Sequence, residues 1–315
     1  MKAVTVALGL LCAIVVGAEP TCSAAEPAEA VPLRFGVMAD VQYADRDTVG
    51  SRHFRQSLEM LEQCVADLNG RDLAFTIQLG DLIDRGEENL DRALSVFQRL
   101  KMPRHHVLGN HDFALPRPAL LAKLGLPRGY YDFSHGNWRF VILDGTDISL
   151  SGGWPQDSPN HQQAAARFEE LRSQGKANAE RWNGGIGQAQ QDWLKETLRG
   201  ADERGERVIV FCHMPALAEA SDESLVLWND EQIVGILESH RCVAAYLSGH
   251  DHAGGYARKE GIHHVSLQGM VEAPSENAYG IVELYADRIE VRGVGRVPSR
   301  SLPLAAARPG EGNPN

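Results

Sequence analysis

The sequence predicts one α/β domain whose strand ends carry chemistry. Three observations lead there. Short apolar runs alternate with helical repeats between residues 33 and 298, neither a linker nor an internal repeat interrupts them, and five of the runs end beside a potential metal ligand.

Taken in order, Leu33–Ala39 reads as a strand ending at Asp40. Phe54, Leu58, Leu61, Val65 and Leu68 recur at helical spacing until Asn69-Gly70 stops the helix. Leu73–Leu79 reads as a buried strand leading into Gly80-Asp81. A helix over Asn89–Leu100 puts Leu90, Leu94 and Phe97 on one face, and His105–Leu108 is a short strand before Gly109-Asn110-His111. Tyr130–Phe133 and Trp138–Leu143 flank a His-Gly-Asn turn as a hairpin. The stretch 145–187 lacks sustained periodicity and carries Gly, Pro, Trp and Asn, so it reads as an insertion acting as a lid. A helix over Gln188–Leu198 precedes a strand over Arg207–Phe211 that runs into Cys212-His213. Asn229, with Gln232 three residues on, is expected to form a capping box for a helix ending at His240. Cys242–Leu247 is a further buried strand before Ser248-Gly249-His250. His263–Gln268, Gly280–Tyr285 and Arg288–Arg292 complete the strands, and residues 301–315, rich in Ala, Pro and Gly, are expected to be a disordered tail.

Each strand exit delivers a polar side chain of a particular kind: Asp40 and Gln42, Asp81, Asn110, His213, then His250 and His252. Carboxyl ends of strands in an α/β sheet gather at one edge, where ligands bind. Two carboxylates, two amide oxygens and three imidazoles in a small volume suit Mn²⁺, Mg²⁺, Fe or Zn²⁺ and are enough for two ions. His250 and His252 alternate on an extended segment and so point the same way. Alone, each residue is a turn or core residue; the ordered set is what points to metal.

Composition excludes other classes. Forty-two Asp and Glu against 31 Lys and Arg give a formal charge of −11, so a phosphate-binding groove of basic side chains, and with it nucleic acid as a partner, is not expected. Bound cations would supply the positive charge instead. Cys64, Cys212 and Cys242 are few and far apart, so they read as buried small hydrophobes and not as a disulfide framework. Lys2 followed by the apolar run Ala3–Ala18 reads as a signal peptide over residues 1–25, with an uncleaved anchor as the less favoured alternative. That implies export to a periplasmic or secreted location, with no stable membrane insertion after cleavage. No protein partner is inferable.

The set Asp-x-Gln, Gly-Asp, Gly-Asn-His-Asp, His and Gly-His-x-His resembles the calcineurin-like metallophosphoesterases. Asp40-Val-Gln-Tyr-Ala-Asp45, His105-His-Val-Leu-Gly-Asn-His-Asp112, Arg128-Gly-Tyr-Tyr-Asp-Phe-Ser134, Asn183-Gly-Gly-Ile-Gly187 and Gly249-His-Asp-His-Ala-Gly-Gly-Tyr256 further resemble the manganese-dependent ADP-ribose/CDP-alcohol diphosphatases. The resemblance implies a four-layer αββα sandwich, two mixed sheets flanked by helices. It implies one ion on Asp40, Gln42, Asp81 and His252, and a second on Asn110, His213 and His250 with Asp81 bridging. Gln42 stands where most of the superfamily has His, and its neutral oxygen shifts preference from Zn²⁺ toward harder ions such as Mn²⁺, with Fe, Zn, Co or Mg as the alternatives.

The expected reaction is cleavage of the pyrophosphate bond of a small nucleoside-diphosphate-linked substrate, by in-line attack of a hydroxide bridging two ions. His111 is expected to stabilise phosphoryl charge or protonate the leaving oxygen, with Asp112 orienting its imidazole. Tyr43, Arg85 and Tyr256 are the expected substrate contacts. The alternatives are a broader exported phosphodiesterase or phosphomonoesterase and, remotely, a non-catalytic binding scaffold.

Overall fold

The computed structural model describes residues 33–304, with Met1 and Ala3. These residues 33–304 lie in one compact unit, Pro32–Asn315. Apart from Met1 and Ala3, the expected signal peptide lies outside the described residues, as do residues 305–315.

The first sheet is built from β1 (Leu33–Met38), β2 (Phe75–Gln78), β3 (Arg104–His106), β12 (Ala278–Leu284), β13 (Arg288–Gly295) and β14 (Arg300–Pro303). Its order is β14-β13-β12-β1-β2-β3, with β1, β2 and β3 parallel and the others antiparallel. The second sheet uses β4 (Tyr131–His135), β5 (Trp138–Ile142), β8 (Arg207–Phe211), β9 (Val243–Ser248), β10 (Gly255–Lys259) and β11 (Ile262–Ser266), in the order β10-β11-β9-β8-β5-β4. Strands β5, β8, β9 and β11 run parallel. Both sheets are therefore mixed, and in each the parallel strands end on a shared edge.

Side-chain alternation fixes how the sheets stack. Phe35 of β1 stacks on Phe75 of β2 at 4.7 Å and meets Phe140 of β5 and Phe211 of β8 edge-on at 5.7 and 5.9 Å, which places the shared core between the sheets. The next residue along β1, Gly36, turns to the outer face, where a Cβ would lie 2.9 Å from Thr76 Oγ1 and 3.0 Å from Leu68 Cδ1. That closeness seats α1 (Ser57–Leu68), beside which lies α2 (Glu87–Phe97). On the far side Val208, Val210 and Cys212 pack with Leu194 and Leu198 of α5 (Gln188–Arg204) and Ile233 and Leu237 of α6 (Asp230–Glu238). Four layers result, as expected. Cys64, Cys212 and Cys242 are free and buried.

Five features differ from expectation, the first being edge strand β10, which has no counterpart among the expected strands. Ser301, Leu302 and Pro303, expected in the disordered tail, belong instead to edge strand β14, which buries Leu302 against β13. Asn229 makes no cap to α6: its Oδ1 accepts from Ile186 N at 3.0 Å, so the capping box does not form. α3 (Arg117–Leu124) has no counterpart in the reading. The 145–187 stretch contains the two-stranded β6 (Ile148–Ser149) and β7 (Gly184–Gly185) around a 15-residue helix, α4 (Pro159–Ser173), which buries Ala164, Phe168 and Leu171. Among the described residues no helix is long and apolar enough to cross a membrane.

Candidate active site

The turns after β1, β2, β3, β8 and β9 bring all seven expected ligands together. Asp40, Gln42, Asp81 and His250 have φ of 52°, 42°, 56° and 67°, four of the five non-glycine residues with positive φ among those described. Such backbone costs of order 1–3 kcal/mol per residue and persists where the surroundings impose it. Backbone hydrogen bonds impose it here: Asp40 N donates to Gly80 O, Gln42 N to Asp81 O, and Gly249 N to His213 O. Glycine gives the close approach. A Cβ on Gly249 would lie 2.5 Å from Asp40 Oδ2, and one on Gly109 would collide with Asp81 Oδ1 and N.

The convergence is tight. His213 Nε2 lies 3.1 Å from Asn110 Oδ1, 3.2 Å from His250 Nδ1 and 3.2 Å from Asp81 Oδ2. Asp81, His213 and His250 form a buried group able to hold an ion. His252 Nε2 lies 3.3 Å from Asp40 Oδ1, and Gln42 Nε2 donates to Asp81 Oδ2 at 3.1 Å. Asp40 Oδ1 and Gln42 Oε1 are buried and accept no hydrogen bond. Buried acceptors without donors, packed against further acceptors, are costly unless a cation sits among them. The donor set therefore fits divalent metal.

The Asp40 and Asp81 carboxylates dominate the local charges. Burial works against a charged His213, but the Asp81 and Asp40 carboxylates override it and raise the imidazole to about 9. Burial likewise opposes charge on His252, and Asp40 with Glu272 raises it to about 9. His250 is pushed well down by burial and by His213. Burial raises Asp81, but His213 and His111 more than reverse that and hold it well below the usual carboxylate range.

His111 is brought to the site, but not by Asp112. The Asp112 carboxylate is buried and accepts from Leu82 N at 2.8 Å, Gly109 N at 2.9 Å and Asp81 N at 3.0 Å. It pins the two turns that carry Asp81 and Asn110. Burial and the neighbouring Asp81 push it upward, against the Gly109 and Leu82 donors and the nearby His213. The contact to the imidazole belongs to Asp84, whose Oδ1 lies 3.2 Å from His111 Nδ1. His111 N also donates to Asp81 Oδ1 at 2.8 Å. Burial opposes charge on the His111 ring, yet Asp81 and Asp84 raise it above its ordinary value.

A cavity of about 990 Å³ opens over the cluster, its floor including Gln42, Asp81, Asn110, His111, His250 and His252. The volume is at the upper end for small-molecule sites. Arg52 and Arg296 line it, as do Leu150, Ser151, Arg181 and Trp182 from the 145–187 stretch. The expected substrate contacts are elsewhere. Tyr43 is 1 % exposed in the core, Arg85 pairs with Asp84 at 2.7 Å, and the hydroxyl of Tyr256, on β10, sits 3.1 Å from Nδ1 of His263 on β11; none lines the cavity. Sequence reasoning passed over Arg52, Arg181, Arg296 and Glu272. They occupy loops whose spacing carries no pattern. Trp182 was legible only as one of several aromatics.

Comparison with known proteins agrees with this geometry. Residues 33–254 match the calcineurin-like phosphoesterase family. The chain is 34% identical to the manganese-dependent ADP-ribose/CDP-alcohol diphosphatase of Mus musculus, over 85% of this chain and 92% of that one. It is 35% identical to the protein of the same name from Arabidopsis thaliana, over 84% and 95%. A dimetal phosphatase from Danio rerio superposes with a TM-score of 0.81 at 30% identity, covering 87% of this chain and all of that one. With the fold, the ligand cluster and these likenesses in agreement, the chain belongs to the calcineurin-like phosphoesterases and is a metal-dependent hydrolase.

Proposed function

We propose that this hydrolase cleaves the pyrophosphate bond of nucleoside-diphosphate-linked substrates such as ADP-ribose or CDP-alcohols, with Mn²⁺ as its metal. The observation that carries the reading is the pair of donorless buried oxygens, Asp40 Oδ1 and Gln42 Oε1, set among three imidazoles under a nucleotide-sized cavity. Asp40, Gln42, Asp81 and His252 would hold one ion; Asn110, His213 and His250 would hold the second, with Asp81 shared. When bound, the ions offset phosphoryl charge and make water nucleophilic near neutral pH.

The chain's own residues do the rest. His111, tethered through Nδ1 to Asp84, keeps Nε2 toward the cavity and holds a proton there for the departing phosphate oxygen. Arg52, Arg181 and Arg296 line the cavity where an anion with two phosphates would lie, and Trp182, half exposed on the rim, offers a stacking surface for a base. The 145–187 stretch supplies that wall and acts as a lid. Export through residues 1–25 places the reaction outside the cytoplasm.

A substrate panel with Mn²⁺, comparing ADP-ribose, CDP-choline, cyclic nucleotides and p-nitrophenyl esters, tests the reading. ADP-ribose and CDP-choline should be preferred, with AMP and CMP as first products. Preference for a cyclic nucleotide or a p-nitrophenyl ester would replace it with a broader phosphoesterase.

A further inference from the structure

Three imidazoles enter the cluster, and each can ligate through only one ring nitrogen. Which one is set by the hydrogen bond the other makes. His213 Nδ1 lies 2.8 Å from Leu79 O, which only accepts, so the proton is on Nδ1 and Nε2 faces the cluster. His250 has the opposite arrangement. Its Nε2 lies 2.9 Å from Asn183 Oδ1. Asn183 Nδ2 already donates to Asn178 O at 3.0 Å and Ser224 O at 2.8 Å, so the amide cannot be flipped and its oxygen must accept. The proton is on Nε2, and Nδ1 is left for the cluster. In His252, Nδ1 is held by the Glu272 carboxylate and Nε2 faces Asp40.

We propose that Glu272 and Asn183 are positioning residues that select the metal-facing nitrogen of His252 and His250, one for each metal position. The inference rests on the two-ion site proposed above. Neither residue is itself in the ligand set. Asn183 is fully buried immediately before β7, where its carbonyl also accepts from Ser149 Oγ at 3.0 Å. The insertion is thereby fastened to the metal cluster through a side chain. Glu272, on the short turn Met270–Glu272, lies beyond the stretch that matches the family. It also faces Arg52 Nε at 3.8 Å. The two tethers differ in charge. Glu272 makes an anionic partner for the position where Gln42 offers only a neutral oxygen, while the amide of Asn183 serves the position that has two imidazoles.

Losing such a tether lets the ring turn its N–H toward the metal, which typically lowers metal affinity ~10–100-fold. Calorimetric titration of metal-free protein with Mn²⁺, together with ¹¹³Cd resonances of the cadmium-loaded protein, reads each position separately. The wild type should take two ions and show two resonances. Glu272→Ala should weaken one ion ~10–100-fold and perturb one resonance, and Asn183→Ala should do the same to the other ion and resonance. Glu272→Gln and Asn183→Asp keep an oxygen acceptor at the outer nitrogen and should retain both ions. If the wild type binds two ions but the alanine variants weaken both positions equally, or neither, the assignment of tethers is wrong. If the conservative variants are folded yet no better than alanine, it is equally overturned. A wild type that binds fewer than two ions would instead overturn the two-ion site on which the inference stands.

Discussion

Asp112 separates two accounts of the His111 neighbourhood. In the structure it is a brace: three buried backbone N–H groups, from Leu82, Gly109 and Asp81, end on its carboxylate at 2.8–3.0 Å. Asp112→Ala leaves all three without an acceptor. Each buried, unsatisfied group costs about 1–3 kcal/mol, or about 3–9 kcal/mol together. Relief of repulsion with Asp81 offsets part of this, so a net loss of about 3–5 kcal/mol is expected, a large share of the ~5–15 kcal/mol that holds a domain folded. Urea unfolding followed by circular dichroism, with chelator present, should show a much lower midpoint, and Asp112→Asn should fall between the two. Asp84→Ala is the contrast. It removes side-chain contacts to His111, Arg46 and Arg85, two of them with part-exposed arginines, so turnover should suffer more than the midpoint. An Asp112→Ala protein with a wild-type midpoint and a selective loss of rate would refute the brace and return Asp112 to orienting His111.

Other expectations are simpler. His111→Ala should cut turnover ~10²-fold or more while Mn²⁺ content stays intact, measured by steady-state kinetics beside metal analysis; a near-normal rate would remove it from the chemistry. Gly109→Ala would place a methyl group against Asp81, so metal uptake by the metal-free protein should be largely lost. His105 and His106 are pushed by burial to about 4 and about 3. The unfolded chain, with histidines near 6.5, then binds protons first on acidification. Stability is full above pH ~6.5 and is lost as pH falls toward ~4 and below. His105 stacks on Phe133 at 3.8 Å, so His105→Phe keeps the packing and should flatten the acid dependence of the urea midpoint. An unchanged slope would contradict the argument.

The seven ligand candidates were readable because each follows a buried strand, where a short apolar run and a glycine mark the exit. Strand ends are local features, and parallel sheets gather them whatever the intervening sequence. Elements with weak apolar patterns were missed. α4 buries only three residues, although Ser158 as cap and Pro159 in its first turn mark its start and Ala164, Phe168 and Leu171 share a face. β10 and β14 are edge strands with few buried side chains. The Asn229 box failed because a long-range partner, Ile186 N, took the cap oxygen. Asp84, Asn183 and Glu272 act through contacts across the chain: Asp84 meets a histidine 27 residues on, and Asn183 meets one 67 residues on. Adjacency in sequence favoured Asp112 for His111, and the turn geometry gave that contact to Asp84 instead.

The proposed chemistry needs two metal ions within one donor cluster. Titration of the metal-free protein with Mn²⁺, followed by electron paramagnetic resonance, tests this directly. Uptake should continue to two equivalents per chain, and the second should convert an isolated-ion spectrum into the exchange-coupled one of ions about 3.5–4 Å apart. Saturation at one equivalent, or two equivalents with uncoupled spectra, would contradict it.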